Sequence, residues 1–139
     1  MSEAPRMPIT GSCLCGGVRY EIRGRLSPIT ICHCSQCRKF HGAAGPYATC
    51  RREKIAIEGS TLRWYRSSDR VRRGFCSECG SSLFWDHQDR AFLDITAGTV
   101  DTSIEARVKA HIYVGSRAGW EHLDDGLPRH DGEQPEDPS

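Results

Sequence analysis

The chain has 139 residues, 37% hydrophobic and 27% charged, with a formal net charge of +1; this fits one globular domain and excludes a nucleic-acid binder driven by bulk charge. No stretch approaches the roughly 20 apolar residues of a membrane-spanning helix, and Met1 to Ser12 hold no apolar run of the signal-peptide kind. These features point to the cytosol, where a reducing environment keeps the eight cysteines free of disulfides.

Taken in order, residues 1–10 read as a flexible N-terminal segment. Gly17 to Arg23 alternates, with Val18, Tyr20 and Ile22 on one face and Arg19, Glu21 and Arg23 on the other, the pattern of a half-buried strand. The apolar run Pro28 to Ile31 predicts a short strand, and Ser35 to His41 one helical turn. Pro46 to Arg51 and Lys54 to Glu58 read as further strands. Thr61 to Arg66 and Val71 to Phe75 flank the turn signature Ser67-Ser68-Asp69 and read as a hairpin. Ser82 to Asp86, Ala91 to Thr96 and Lys109 to Val114 complete the strands. No stretch sustains a 3.6-residue period over three turns, so we expect a mainly β fold of short strands with little helix, spanning residues 11–129. From Asp124 onward six acidic residues face one arginine, and residues 130–139 read as an acidic flexible tail.

The chemistry lies in the cysteines. Cys32, Cys34 and Cys37, spaced C-x-C-x2-C, can converge on one metal ion, because zinc–sulfur bonds of about 2.3 Å need sulfurs only a few Å apart. Three ligands leave a fourth position open, as catalytic zinc requires. Cys13-Leu14-Cys15 and Cys76-Ser77-Glu78-Cys79 together supply four thiolates, a closed structural shell, and each pair is followed at once by glycine. Cys37 is instead followed by Arg38 and Lys39, fixed charges that favour thiolate. Arg38, Lys39, Arg51 and Arg52 are candidate anchors for an anionic substrate. Cys50 stands outside these groups and reads as an inert, partly buried thiol. His33, between two ligands, reads as pointing outward or supporting the shell; Tyr20, Trp64, Phe75, Phe84 and Trp85 read as core.

Other readings of the same residues stay open. A redox C-x-x-C lacks the surrounding βαβ pattern, and haem attachment lacks the following histidine. An iron–sulfur cluster on four thiols would leave the second, incomplete set without purpose. A zinc ribbon joining Cys34 and Cys37 to Cys76 and Cys79 would make a nucleic-acid module with Arg70, Arg72, Arg73, Trp64 and Tyr65 as its face, but strands Cys13, Cys15 and Cys32. A non-catalytic interaction module would have no need of an open metal site.

The succession Gly11-Ser12-Cys13-Leu14-Cys15-Gly16-Gly17, Cys32-His33-Cys34-Ser35-Gln36-Cys37-Arg38-Lys39 with Gly42-Ala43, and Arg73-Gly74-Phe75-Cys76-Ser77-Glu78-Cys79-Gly80-Ser81 resembles the glutathione-dependent formaldehyde-activating enzyme family. His111-Ile112-Tyr113 and Arg117-Ala118-Gly119-Trp120 resemble its closing motif, so the likeness covers about residues 11–128. It implies folded-over antiparallel sheets around two zinc sites. The structural site would be Cys13, Cys15, Cys76 and Cys79; the catalytic one Cys32, Cys34 and Cys37. It further implies a carbon–sulfur lyase resembling S-(hydroxymethyl)glutathione synthase, which joins the glutathione thiol to formaldehyde. The partners implied are therefore a small thiol and a small aldehyde.

Overall fold

The computed structural model describes residues 7–133. Its strands are β1 (Ile9–Ser12), β2 (Arg19–Ile22), β3 (Ile29–Cys32), β4 (Gly45–Arg51), β5 (Ile55–Glu58), β6 (Leu62–Arg66), β7 (Val71–Cys76), β8 (Ser82–His87), β9 (Phe92–Thr96) and β10 (Val108–Ile112). The α-helix among the described residues is α1 (Ser35–His41). The mainly β expectation holds.

Two sheets form. The smaller has the order β1-β2-β5 and the larger β10-β3-β4-β9-β8-β7-β6. All pairings are antiparallel except that of β10 with β3, which brings Ile112 beside Cys32. The hairpin read at Thr61 to Phe75 forms as β6 and β7, with Ser67 N–H closing on Val71 O at 3.0 Å.

Period-two alternation gives the large sheet two unlike faces. On one, Ala48 and Cys50 of β4 line up with Ile95 and Leu93 of β9, and Ile95 with Phe84 of β8. Of these, Cys50, Leu93, Ile95 and Phe84 pack against Ile9, Tyr20 and Ile22 of the small sheet and Val18 just before β2 to make the main core. Tyr20 meets Phe84 edge-on at 5.6 Å and Trp64 stacks on it at 6.0 Å. Each fully buried side chain of this size contributes about 1.5–3 kcal/mol. Cys50 lies in this core, where burial pushes its thiol up to about 12. The other face carries Tyr47, Thr49, Asp94, Thr96 and Trp85, and a second cluster builds there around Cys32, Cys37 and Tyr47.

At the termini, residues 1–6 and 134–139 lie outside the described residues, and with them most of the two segments read as flexible. Ile9 and Thr10 belong to β1, and Val114 and Tyr113 donate to the carbonyls of His130 and Gly132 at 3.0 and 2.9 Å.

Candidate functional site

The first cysteine group forms where the two sheets meet. Cys13 and Cys15 follow β1, while Cys76 ends β7 and Cys79 lies in the turn before β8. The two turns are built alike. Cys13 N–H reaches Val18 O and Cys76 N–H reaches Ser81 O, both at 3.0 Å; Gly16 N–H bonds Cys13 O at 3.1 Å and Gly80 N–H bonds Cys76 O at 2.8 Å. Gly16 and Gly80 have φ of +80° and +78°, the left-handed backbone that favours glycine. Amides then turn onto the sulfurs: Val18 N–H donates to Cys13 Sγ at 3.2 Å and Cys79 N–H to Cys76 Sγ at 3.5 Å. Leu14 N–H donates to Ser81 Oγ at 2.9 Å, tying one turn to the other. The Ser81 hydroxyl and N–H hold the Cys79 thiol down at about 5.

All four sulfurs lie within 4.8 Å of one another, with Cys13–Cys15 and Cys15–Cys76 both at 3.7 Å. A tetrahedron of zinc–sulfur bonds has edges of about 3.8 Å, whereas a disulfide needs about 2.05 Å. The donor set therefore fits a four-thiolate metal site and not a disulfide.

The second group sits at the end of β3 and the start of α1. Cys34 is the N-cap of the helix, its sulfur accepting from Cys37 N–H at 3.3 Å, and α1 closes at Gly42, whose N–H bonds Arg38 O at 2.8 Å. A cap residue and the residue three places on necessarily share one side of the first turn, which is why C-x2-C brings its sulfurs together. Cys32, Cys34 and Cys37 are mutually within 4.8 Å. Hydrogen bonds from Cys32 and Cys37 pull Cys34 down to about 2, while their bonds to Cys34 and to one another, with burial, push Cys32 far up. The hydrogen bond from Cys32 lowers Cys37, but its bond to Cys34 and burial together raise it, so of the three thiols Cys34 is the one that holds anionic charge readily; the all-sulfur set suits a soft divalent ion such as zinc.

The structure keeps the two groups apart. Cys76 and Cys79 share their cluster with Cys13 and Cys15, not with Cys34 and Cys37, so the zinc-ribbon pairing is not the one the fold builds. The basic face imagined for nucleic acid is also spent internally. Arg72 lies 3.9 Å over the Trp64 ring and donates to Asp86, and Arg70 pairs with Asp89.

Around the triple lie residues that the sequence reading did not place at this site. Arg73 of β7 places Nη1 3.8 Å from Cys37 Sγ and 3.4 Å from Tyr47 Oη, Nη2 3.3 Å from Gln36 Oε1, and Nε 3.2 Å from Ser67 Oγ. Tyr47 Oη is 2.5 Å from His41 Nε2. Burial, and then the Arg73 charge, push His41 down to about 4, so its ring is neutral near pH 7 and its Nε2 accepts the tyrosine proton. Trp85, Ile112 and Tyr113 pack beside them. The zinc-ribbon reading set Arg73 on an outer face with Arg70 and Arg72, yet it falls in phase with buried Val71 on a strand, the signal that marks it as inward.

His33 supports the loop from behind. It is fully buried, with Nε2 2.9 Å from His111 Nδ1, whose Nε2 is 2.7 Å from Asp125 Oδ2. An ionised Asp125 accepts from His111 Nε2–H, so His111 Nδ1 accepts in turn from His33 Nε2–H. The spacing of these histidines carried no sign of this; β10 pairing with β3 creates it.

The four candidate anchors divide. Arg38 and Lys39 lie on α1 beside the triple, Arg38 half-buried and Lys39 exposed. Arg51 and Arg52 lie at and just past the far end of β4, whose first residue, Gly45, pairs with Cys32. Six residues of extended chain separate Arg51 from that point by about 20 Å. Arg51 pairs with Glu53 and lines a groove of about 1180 Å³ with Leu26, Phe92 and Ile104. Arg52 donates to buried Asp86 at 2.8 Å and to the carbonyls of His87, Arg90 and Phe92. The structure does not bring these two to the triple.

A family model described as glutathione-dependent formaldehyde-activating enzyme matches residues 8–116. The chain belongs to that family. Similar proteins include one of Halomonas elongata that carries this family name provisionally, 26% identical over 85% of this chain and 82% of its own. An uncharacterised lyase of Schizosaccharomyces pombe is 27% identical over 54% of this chain; the match spans about half, 55%, of that relative. A crystal structure of a Rhodobacter sphaeroides protein shares the fold, with a TM-score of 0.58 at 20% identity, covering 69% of this chain and 91% of that one. The family's description names glutathione and formaldehyde, and the Schizosaccharomyces pombe relative is named a lyase; in this chain two cysteine clusters could hold a metal ion. Among the described residues no helix is long and apolar enough to cross a membrane.

Proposed function

We propose that this chain is a zinc-dependent carbon–sulfur lyase, joining a small aldehyde such as formaldehyde to a thiol such as glutathione, or releasing them, at Cys32, Cys34 and Cys37. The observation that carries this is that three sulfurs converge within 4.8 Å while a separate group offers a full set of four. A second structural site would need a fourth ligand, whereas a reactive one needs a free place.

The overall reaction is an addition. A sulfur–carbon bond forms, the carbonyl π bond opens, and the thiol proton ends on the former carbonyl oxygen; the reverse releases aldehyde and thiol. Zinc held by the triple would lower the pKa of an entering thiol so that thiolate is available at neutral pH. The rest is the work of the chain itself. Arg38 and Lys39 present positive charge on the helix that carries Cys37, suited to the carboxylates of glutathione. Trp85, Ile112 and Tyr113 shield the sulfurs from water on one side. Tyr47 donates its O–H to His41 Nε2 and accepts from Arg73, so it orders the pocket wall rather than supplying a proton. His33, His111 and Asp125 brace the loop between Cys32 and Cys34. Eight free cysteines suit the reducing cytosol, where we place the protein.

The test is zinc per chain after reloading, followed by exchange NMR of glutathione with labelled formaldehyde. Two zincs and a faster exchange are expected. One zinc per chain, or exchange no faster than without protein, would overturn the reading.

A further inference from the structure

Arg73 carries a charge that the carboxylates do not account for. It is 3% exposed, and its hydrogen-bond partners are Ser67 Oγ, Gln36 Oε1, Tyr47 Oη and Cys37 Sγ. Its neighbours differ: Arg70 pairs with Asp89 and Arg72 with Asp86. Among the described residues no acidic side chain makes an ion pair with Arg73. A guanidinium does not shed its proton in a protein, and a buried charge without a counter-charge is strongly unfavourable. The group within reach that can carry the counter-charge is the cysteine cluster, whose Cys37 Sγ lies 3.8 Å from Nη1.

We propose that the cluster of Cys32, Cys34 and Cys37 is the counter-ion of Arg73, and that Arg73 thereby sets the cluster to accept an anionic fourth ligand, the thiolate of the substrate. Three thiolates with one divalent cation carry a net charge of −1, which Arg73 brings to zero. A cluster left at −1 would repel an entering thiolate and donate so strongly to its metal that little Lewis acidity remained. Arg73 reverses both effects. Its fork reaches Cys37 and Tyr47 with one nitrogen and Gln36 with the other, and Phe40 lies 5.5 Å from the guanidinium. These contacts hold the charge against Cys37 Sγ, between β7 and α1. Arg73 is a positioning residue: it acts through Cys37. The proposal goes beyond the function above and rests on its reading of the triple as a metal site.

The variants are Arg73→Gln, which keeps hydrogen-bonding capacity without charge, and Arg73→Lys, which keeps charge without the fork. The readouts are zinc affinity at the triple by chelator competition, with the four-cysteine site as internal control, and glutathione binding by its effect on the thiolate-to-cobalt absorption of the cobalt-loaded protein. We expect Arg73→Gln to weaken zinc at the triple about tenfold or more, to spare the other site, and to weaken glutathione binding further. Arg73→Lys is expected to recover most of both. Unchanged zinc affinity in Arg73→Gln overturns the proposal. So does a loss in Arg73→Lys as large as about tenfold, a result that can be read even where the neutral variant does not fold. A wild-type protein that holds one zinc instead overturns the metal reading of the triple and this proposal with it.

Discussion

Replacing Asp94 with asparagine should stabilise the protein at neutral pH and leave it nearly unchanged in mild acid. Asp94 stands on β9 between Thr49 of β4 and Trp85 of β8, half-buried, and Thr49 Oγ1 donates to its Oδ1 at 2.8 Å. Burial raises its carboxyl from 3.8 to about 6, against the hydrogen bond from Thr49. Two pKa units correspond to about 3 kcal/mol, and partial exposure reduces the expected gain to roughly 2 kcal/mol. The sign follows from proton counting. Between about pH 4 and pH 6 the folded protein holds a proton that the unfolded chain has released, so stability falls as pH rises through that window and is flat above it. Asp94→Asn lacks the slope. Urea unfolding of both proteins at pH 4.5 and 7.5 measures this, and taking the difference at each pH cancels the metal loss that acid imposes on both. An Asn variant no more stable than wild type at pH 7.5, or a gain equal at both pH values, would refute the reasoning.

Two further substitutions separate the cysteine groups. Cys79→Ser opens the four-sulfur shell that clips the end of β1 to the end of β7; structural zinc binding of about 10–16 kcal/mol exceeds the stability of most domains, so circular dichroism should show an unfolded chain. Cys37→Ser should keep the fold and lose one zinc, and equal loss of structure in the two variants would contradict the division of roles. Asp86→Asn leaves Arg52 and Arg72 without the 1%-exposed carboxylate that both reach at 2.8 Å. We expect a loss of about 2 kcal/mol in urea unfolding, below the usual figure for a broken buried pair because both guanidinium groups are partly solvated. The two arginine bonds outweigh burial and hold Asp86 below the usual carboxylate range, so this contribution is present above the unfolded pKa and lost as pH falls through the folded one.

What the local sequence determined was the placement of most elements and the grouping of the thiols. C-x-C and C-x2-C spacings put sulfurs within one turn whatever surrounds them, and Gly16 and Gly80 supply the backbone that aims amides at those sulfurs. The alternation around Tyr20 and Ile22, and the apolar run leading into Cys32, led to β2 and β3 because a strand shows its period in four residues. β1 escaped because Ile9-Thr10-Gly11-Ser12 has one large apolar residue; Tyr20 across the sheet and Asp101 N–H, which reaches Thr10 O at 2.8 Å, hold it in place.

Tertiary structure alone decided the surroundings of the triple. The approach of Arg73 to Cys37 depends on how β7 stands relative to α1, and the chain of His33, His111 and Asp125 depends on β10 lying parallel to β3. Arg51 and Arg52 are close to Cys37 in sequence, yet an extended strand carries them about 20 Å away. Spacing of a few residues fixes distance through bond geometry, whereas charge, burial and reach across a sheet depend on strand order and register, which no short stretch of residues contains.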